Sequence, residues 1–174
     1  MATRTPLFNR VQPGGVFTIS DVVNHPGDIW WVDSATGVDG AGYGQNPDAP
    51  CATWNYAYDL ATAAKGDVIY LMPGHEETII NATTIVPDKA GISTIGLGRG
   101  MNRPIINFTN TASKIIVSGA NQRISNVIFN AAISAVVLGV TVTGHDVELD
   151  NCLWTWETTA SDFVIALSVV AADR

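Results

Sequence analysis

Residues 116–129 read IVSGANQRISNVIF, and residues 141–154 read TVTGHDVELDNCLW. Laid over each other at an offset of 25, the two runs match in apolar pattern without a gap. Ile124-Ser125-Asn126 falls on Leu149-Asp150-Asn151, and Phe129 falls on Trp154. Three positions are identical: Val117 with Val142, Gly119 with Gly144, and Asn126 with Asn151. The identities alone are weak. The shared order of apolar, turn and Asn positions carries the argument, because self-similarity at such a period marks a repeat architecture.

The pattern extends outward. Asp67 to Gly74 and Gly91 to Gly98 resemble each other at a similar spacing, while Ile92 to Ile124 is wider, as if a loop were inserted. Short strands separated by turns at this period predict a coiled β-solenoid. Each turn of the coil then pairs with the turns above and below at about 4.8 Å, around an aliphatic interior. Asn126 and Asn151 fit an internal ladder at a corner of the coil. The alternative is that each Asn supplies left-handed backbone geometry at an ordinary turn. A β-sandwich would carry Asn-Gly or Asp-Gly hairpin turns. Asp39-Gly40 is the only such dipeptide, and it lies outside the repeat.

Composition fits a packed coil. Apolar residues make up 47% of the 174 and charged residues 14%. The average for a globular domain is about 25% charged. Disorder is excluded, since it needs low hydrophobicity and high charge. The most apolar stretches, 131–142 and 163–172, are too short to span a membrane. The net charge of −7, with its few basic residues scattered, argues against nucleic acid. No apolar signal segment is visible in MATRTPLFNR. Cys51 and Cys152 read as two buried free thiols of a protein made in a reducing cytoplasm.

Residues 1–28 are rich in Pro and Gly and predict an extended N-terminal arm with one short strand at Val16-Phe17-Thr18-Ile19. Leu7, Phe8, Val16, Phe17 and Ile19 make it a docking arm. Residues 29–174 form the coil. Within it, Trp54, Ala57, Leu60, Ala61 and Ala64 predict one amphipathic helix near 52–65, with Thr53 as N-cap and Lys65-Gly66 as stop. Strands are expected at 29–32, 68–72, 92–97, 105–108, 114–117, 124–129, 135–138, 140–143, 147–154 and 163–170.

The segment 30–78, WWVDSATGVDGAGYGQNPDAPCATWNYAYDLATAAKGDVIYLMPGHEET, resembles the opening of right-handed parallel β-helix proteins of the pectate-lyase-like class. Their pattern is a V-D-S strand, a Gly-rich loop, a P-x-A-T-I helix start and then G-D-x-I-Y-v-x-P-G. Ile92 to Gly100 and Ile124 to Phe129 also fit it, so the resemblance spans roughly 29–154. Cys51 departs from it, standing where a large residue is usual. Within the class the chain is most similar to bacteriophage virion proteins. The resemblance speaks to fold more than to activity.

The chemical signals are weaker. His25, His75 and His145 form no metal-ligand spacing. Glu148 and Asp150 share one strand face about 7 Å apart, a spacing an acid–base pair can use, though solvated faces carry such charges ordinarily. Asp67 reads as a turn cap, and His75-Glu76-Glu77 as a polar loop. The acidic loop 33–48 matches no calcium motif. Lys114 and Arg123 are the basic residues nearest a carboxylate pair, and neither shares a strand with one. Trp30, Trp31, Trp54, Trp154 and Trp156 read as packing rather than sugar platforms. No catalytic residue, metal or cofactor is expected.

The expected protein is therefore a short right-handed parallel β-helix with a capping helix. Following the resemblance, it is a trimeric phage decoration or cement protein outside the capsid. Its partner would be the major capsid protein of the same phage, with no nucleic acid and no membrane involved. Leu7, Phe8, Val16, Phe17, Ile19, Phe163, Ile165 and Leu167 are the expected docking or subunit-interface residues. The alternative is a tail fibre or tailspike module acting on a host glycan. The run 163–172 resembles the start of another turn, so the expectation is either that the chain continues in other versions of the gene or that a symmetric partner covers the last turn.

Overall fold

A computed structural model describes residues 27–80 and 85–170, together with two short strands near the N-terminus. These two, β1 (Phe8–Val11) and β2 (Phe17–Ile19), pair antiparallel. The sequence predicts only the second. Apart from residues 27 and 28, the rest of the expected arm, including Leu7 and Val16, lies outside the described residues, as do the side chains of Phe8, Phe17 and Ile19.

The coil starts at β3 (Ile29–Val32) and passes through α1 (Trp54–Leu60) to β4 (Val68–Leu71) and β5 (Glu76–Ile79). The next turn holds β6 (Ser93–Gly96), β7 (Ile105–Phe108) and β8 (Ile115–Val117). After it come β9 (Arg123–Ser125), β10 (Ile128–Ala131) and β11 (Val136–Val142). The last holds β12 (Glu148–Asp150), β13 (Leu153–Trp156) and β14 (Phe163–Val169). Three parallel sheets result, in the orders β3-β4-β6-β9-β12, β5-β7-β10-β13 and β8-β11-β14. The chain is a short parallel β-helix of about four turns, with one α-helix among the described residues.

The offset of 25 is structural. Glu148 to Asp150 sit in register on Arg123 to Ser125, and Leu153 to Trp156 on Ile128 to Ala131. The wider spacing one turn earlier arises in the loop between β6 and β7, which carries a 3-10 turn at Gly100–Asn102. Each identity in the repeat has a separate cause. Val117 and Val142 occupy one inward column. A Cβ on Gly144 would lie 2.2 Å from the Gly119 carbonyl oxygen, so only glycine lets the two corners stack. Asn126 and Asn151 have φ of 61° and 50°, and Asn151 Nδ2 donates to Asn126 Oδ1 at 2.9 Å. Asn126 Nδ2 in turn donates to the carbonyls of Gly96 (2.7 Å) and Gly98 (3.2 Å). The ladder and the left-handed turn are therefore the same device. These corners also split the expected strands 124–129 and 147–154 in two.

Inward columns fill the core: Ile69, Thr94 and Ile124 from the first sheet, Ile106 and Phe129 from the second, Ile85, Ile115 and Val140 toward the third. Close packing of such columns is the main stabilising term.

The first end is closed. Cys51 bridges to Val32, Trp31 N–H donates to the Gly44 carbonyl at 2.7 Å, and α1 lies over the interior. The helix is shorter than predicted. Thr53 caps its start by accepting the Tyr56 N–H at 3.2 Å. It ends because Ala61 is extended and the Asp67 carboxylate takes the Thr62 N–H at 2.7 Å. Ala64 is exposed, and Tyr58 is the buried member that the helical stripe missed. Lys89 Nζ donates to the carbonyls of Tyr58, Asp59 and Ala61, placing a cation at the helix C-terminus.

Candidate functional site

Beneath α1 lies a buried polar network. The Asp67 carboxylate accepts the N–H groups of Asp28 (2.7 Å) and Thr62 (2.7 Å) and faces Trp30 Nε1 at 3.5 Å. It is fully buried, and it is the turn cap that the sequence suggests. His75-Glu76-Glu77 is not a polar loop. Glu76 opens β5, and His75 and Glu77 are buried. The pattern hid this because an inward Glu breaks apolar alternation. Ser34 N–H donates to His75 Nδ1 at 3.0 Å, so the neutral ring carries its proton on Nε2, 3.4 Å from Glu77 Oε2. The same Glu77 oxygen accepts the Trp54 N–H at 2.8 Å, at the helix N-terminus. The network ties the loop after β3 to β5 and α1. Asp67 and His75 are at 0% exposure and Glu77 at 8%, so the network lies inside the coil.

On the outer face of the first sheet, Arg123 meets both suspected carboxylates. Its Nε is 3.5 Å from Glu148 Oε1, and its Nη2 donates to Asp150 Oδ2 at 2.9 Å. Register across strands brings them together: Arg123 lies on β9 and both carboxylates on β12, so no basic residue shares their strand, as expected. All three are exposed, and pairs of this kind contribute ~0–1 kcal/mol. In the acidic loop, Asp33 binds Ala35 N–H and Thr36 Oγ1, while Asp39 binds Ala52 N–H and Thr53. These carboxylates hold backbone, and among the described residues no group of three His, Cys, Asp or Glu could hold a metal ion.

The second sheet carries an outer groove of about 440 Å³. Its floor is a polar ladder: Asn107 Nδ2 donates to Glu76 Oε1 at 2.6 Å, and Asn130 Nδ2 to Asn107 Oδ1 at 2.8 Å. Thr155 continues it in register, and Met101 and Trp156 form the rims. Sequence reading missed this ladder. Asn107 and Asn130 are 23 apart, so the offset of 25 does not align them.

Among the described residues the far end of the coil is open. β12, β13 and β14 are edge strands of their sheets, and the core columns run out into solvent there. Val140 is fully buried, yet Leu167, its register partner, is 41% exposed. Val142 at 5% is followed by Val169 at 72%, and Ala131 at 0% by Trp156 at 63%. Trp154, Trp156, Phe163 and Ala166 line a hollow of about 490 Å³. Of the expected interface residues, Phe163 packs edge-on to Phe108 at 5.2 Å, and Ile165 and Leu167 are exposed on β14.

The other tryptophans pack: Trp54 is fully buried, Trp30 nearly so, Trp31 stacks on Tyr70 at 4.9 Å and Trp154 on Phe129 at 5.4 Å. Both cysteines are free. Burial and the Asp39 carboxylate push the Cys51 thiol up to about 11. Cys152 is half-buried rather than buried, and burial raises its pKa as well. No described helix is long and apolar enough to cross a membrane. Compared with known proteins, the chain matches no family model, no curated protein and no solved structure.

Proposed function

We propose that this chain is a structural protein of a bacteriophage particle, a decoration or cement protein on the outside of the capsid, assembled as a trimer. The observation that carries the assembly part is the contrast between the two ends of the coil. One end is closed by α1 and the loop after β3. The other exposes three edge strands and the ends of several core columns. Open strand edges and contiguous apolar surface are what a partner covers. The arm and the open end supply the contact surfaces toward shell and neighbours. The net charge of −7 suits the outside of a shell, away from packaged DNA. Three-fold copies suit the local three-fold positions of an icosahedral lattice. The phage assignment rests on the resemblance of residues 29–154 to virion proteins of this fold. To test it, purified particles are separated into heads and tails and the chain is quantified in each. It should follow the heads in a fixed ratio to the shell protein. Absence from particles, or recovery with tails, overturns the assignment.

A second reading is a tail module that binds a host polysaccharide. The outer groove favours it, because a floor of Glu76, Asn107, Asn130 and Thr155 beside exposed Trp156 offers hydrogen bonds and a stacking face. Binding to host-surface glycans that disappears with Trp156→Ala would support it. Release of reducing ends that is lost in Glu148→Gln and Asp150→Asn would make it an enzyme.

A further inference from the structure

The open end and the N-terminal hairpin are complementary. An isolated two-stranded hairpin is marginal in water and needs further strands to be stable. β1 and β2, of four and three residues, pair with each other and, among the described residues, belong to no larger sheet. At the open end, β14 is seven residues long, carries no charge and, among the described residues, lacks a partner on one side. Charge adds direction. Residues 1–20 hold Arg4 and Arg10 and no acidic residue, a net of +2. Residues 144–170 hold Asp146, Glu148, Asp150, Glu157 and Asp162 and no Lys or Arg, a net of −5 before Arg123 pairs with two of them.

We infer that the β1–β2 hairpin of one copy adds to the β14 edge of a second copy and covers its open end. The inference rests on the assembly part of the reading above and turns the arm from the shell to the neighbouring subunit. Reach allows it. Residues 20–26 extend to ~24 Å, and four strand spacings from β3 to β12 make ~19 Å. The reach therefore exceeds the axial distance from the first end of the coil to its open end. Such a contact uses two different surfaces, and it closes into a ring when the rotation between subunits divides a full turn, as in a trimer. Self-pairing of open ends is less favourable at β12, where Glu148 and Asp150 of two copies would face each other.

The test uses the full chain in two differently tagged forms, co-expressed, one with a photoreactive benzoylphenylalanine at position 165. Illumination should attach it to peptides from residues 1–26 of the other tagged chain, whatever the strand register. In parallel, sedimentation of the unmodified chain should give three copies. Phe17→Asp and Ile165→Asp should each reduce this to one copy at micromolar concentration, with the β-sheet circular dichroism unchanged. Adducts within the same chain, adducts on β14 of another copy, or an oligomer that survives deletion of residues 2–19 would each overturn the inference. So would a monomeric unmodified chain. These outcomes are separate from failure of the capsid reading, which shows as absence of the chain from heads.

Discussion

Asn151 donates its side-chain amide to Asn126 Oδ1 at 2.9 Å, one turn of the coil below, while both backbones sit in the left-handed region. Each Asn thus turns a corner that other non-glycine residues resist, and binds the turn beneath. Asn126→Ala loses the bonds to Gly96 and Gly98 and adds backbone strain, costing about 3 kcal/mol. Asn126→Gly keeps the turn and loses only the bonds, costing about 2 kcal/mol. Asn151→Ala, at the exposed end, should cost least. Urea denaturation of the three variants checks the order. Equal losses in the two Asn126 variants would remove the conformational part of the argument.

Asp67 holds the helix end and β3 together from a fully buried position. Asp67→Ala removes the acceptor of the Asp28 and Thr62 N–H groups and empties a fully buried position, for a loss of about 2 kcal/mol. Asp67→Asn keeps one acceptor oxygen and should lose about half of that. Thermal unfolding followed by tryptophan fluorescence reads both. A loss within 0.5 kcal/mol of zero, on the order expected of surface sites, would contradict this role.

Tyr58 donates its phenol to Gln122 Oε1, and Gln122 Nε2 donates to the carbonyls of Pro87 and Lys89. Burial, first of all, raises the Tyr58 pKa far above its ordinary value. Folding therefore favours the neutral phenol. Its contribution is complete below the unfolded value near 10 and is lost as pH rises beyond it. Stability should fall above about pH 10. Tyr58→Phe should be weaker at pH 7 by about 1–2 kcal/mol but lose less on going to alkaline pH. Urea midpoints across that range decide it, and parallel curves for the two proteins would contradict it.

The thiols should differ in rate. Cys51 is fully buried and its pKa is raised to about 11, whereas Cys152 is partly exposed near the open end. Thiolate is the reacting form, so a disulfide reagent should modify Cys152 at least roughly tenfold faster than Cys51 in the native protein. Both should react together in denaturant. Faster reaction at Cys51 would mean that the loop after β3 opens readily.

The coil was legible because its period is written in residues with fixed physical jobs. Gly119 and Gly144 allow corners to touch, Val117 and Val142 share a column, and Asn126 and Asn151 bond across one turn. What stayed hidden depends on contacts between distant segments. β5 was missed because Glu77 points inward to serve α1, a partner 23 residues earlier. The Asn107–Asn130 ladder was missed because the stretch from β7 to β8 is shorter than that from β10 to β11, which cuts the register repeat there below 25. The pairing of Arg123 with Glu148 and Asp150 needed the register between β9 and β12. Helix length depended on Asp67, beyond the helical pattern itself.

The central claim is that the chain is a shell-bound assembly module. Electron cryomicroscopy of purified particles, with and without this protein, tests it most directly. The claim predicts difference density outside the shell at local three-fold positions, in which three coils, each ~20 Å tall, stand together. Identical capsids in the two samples, or difference density confined to the tail, would contradict it.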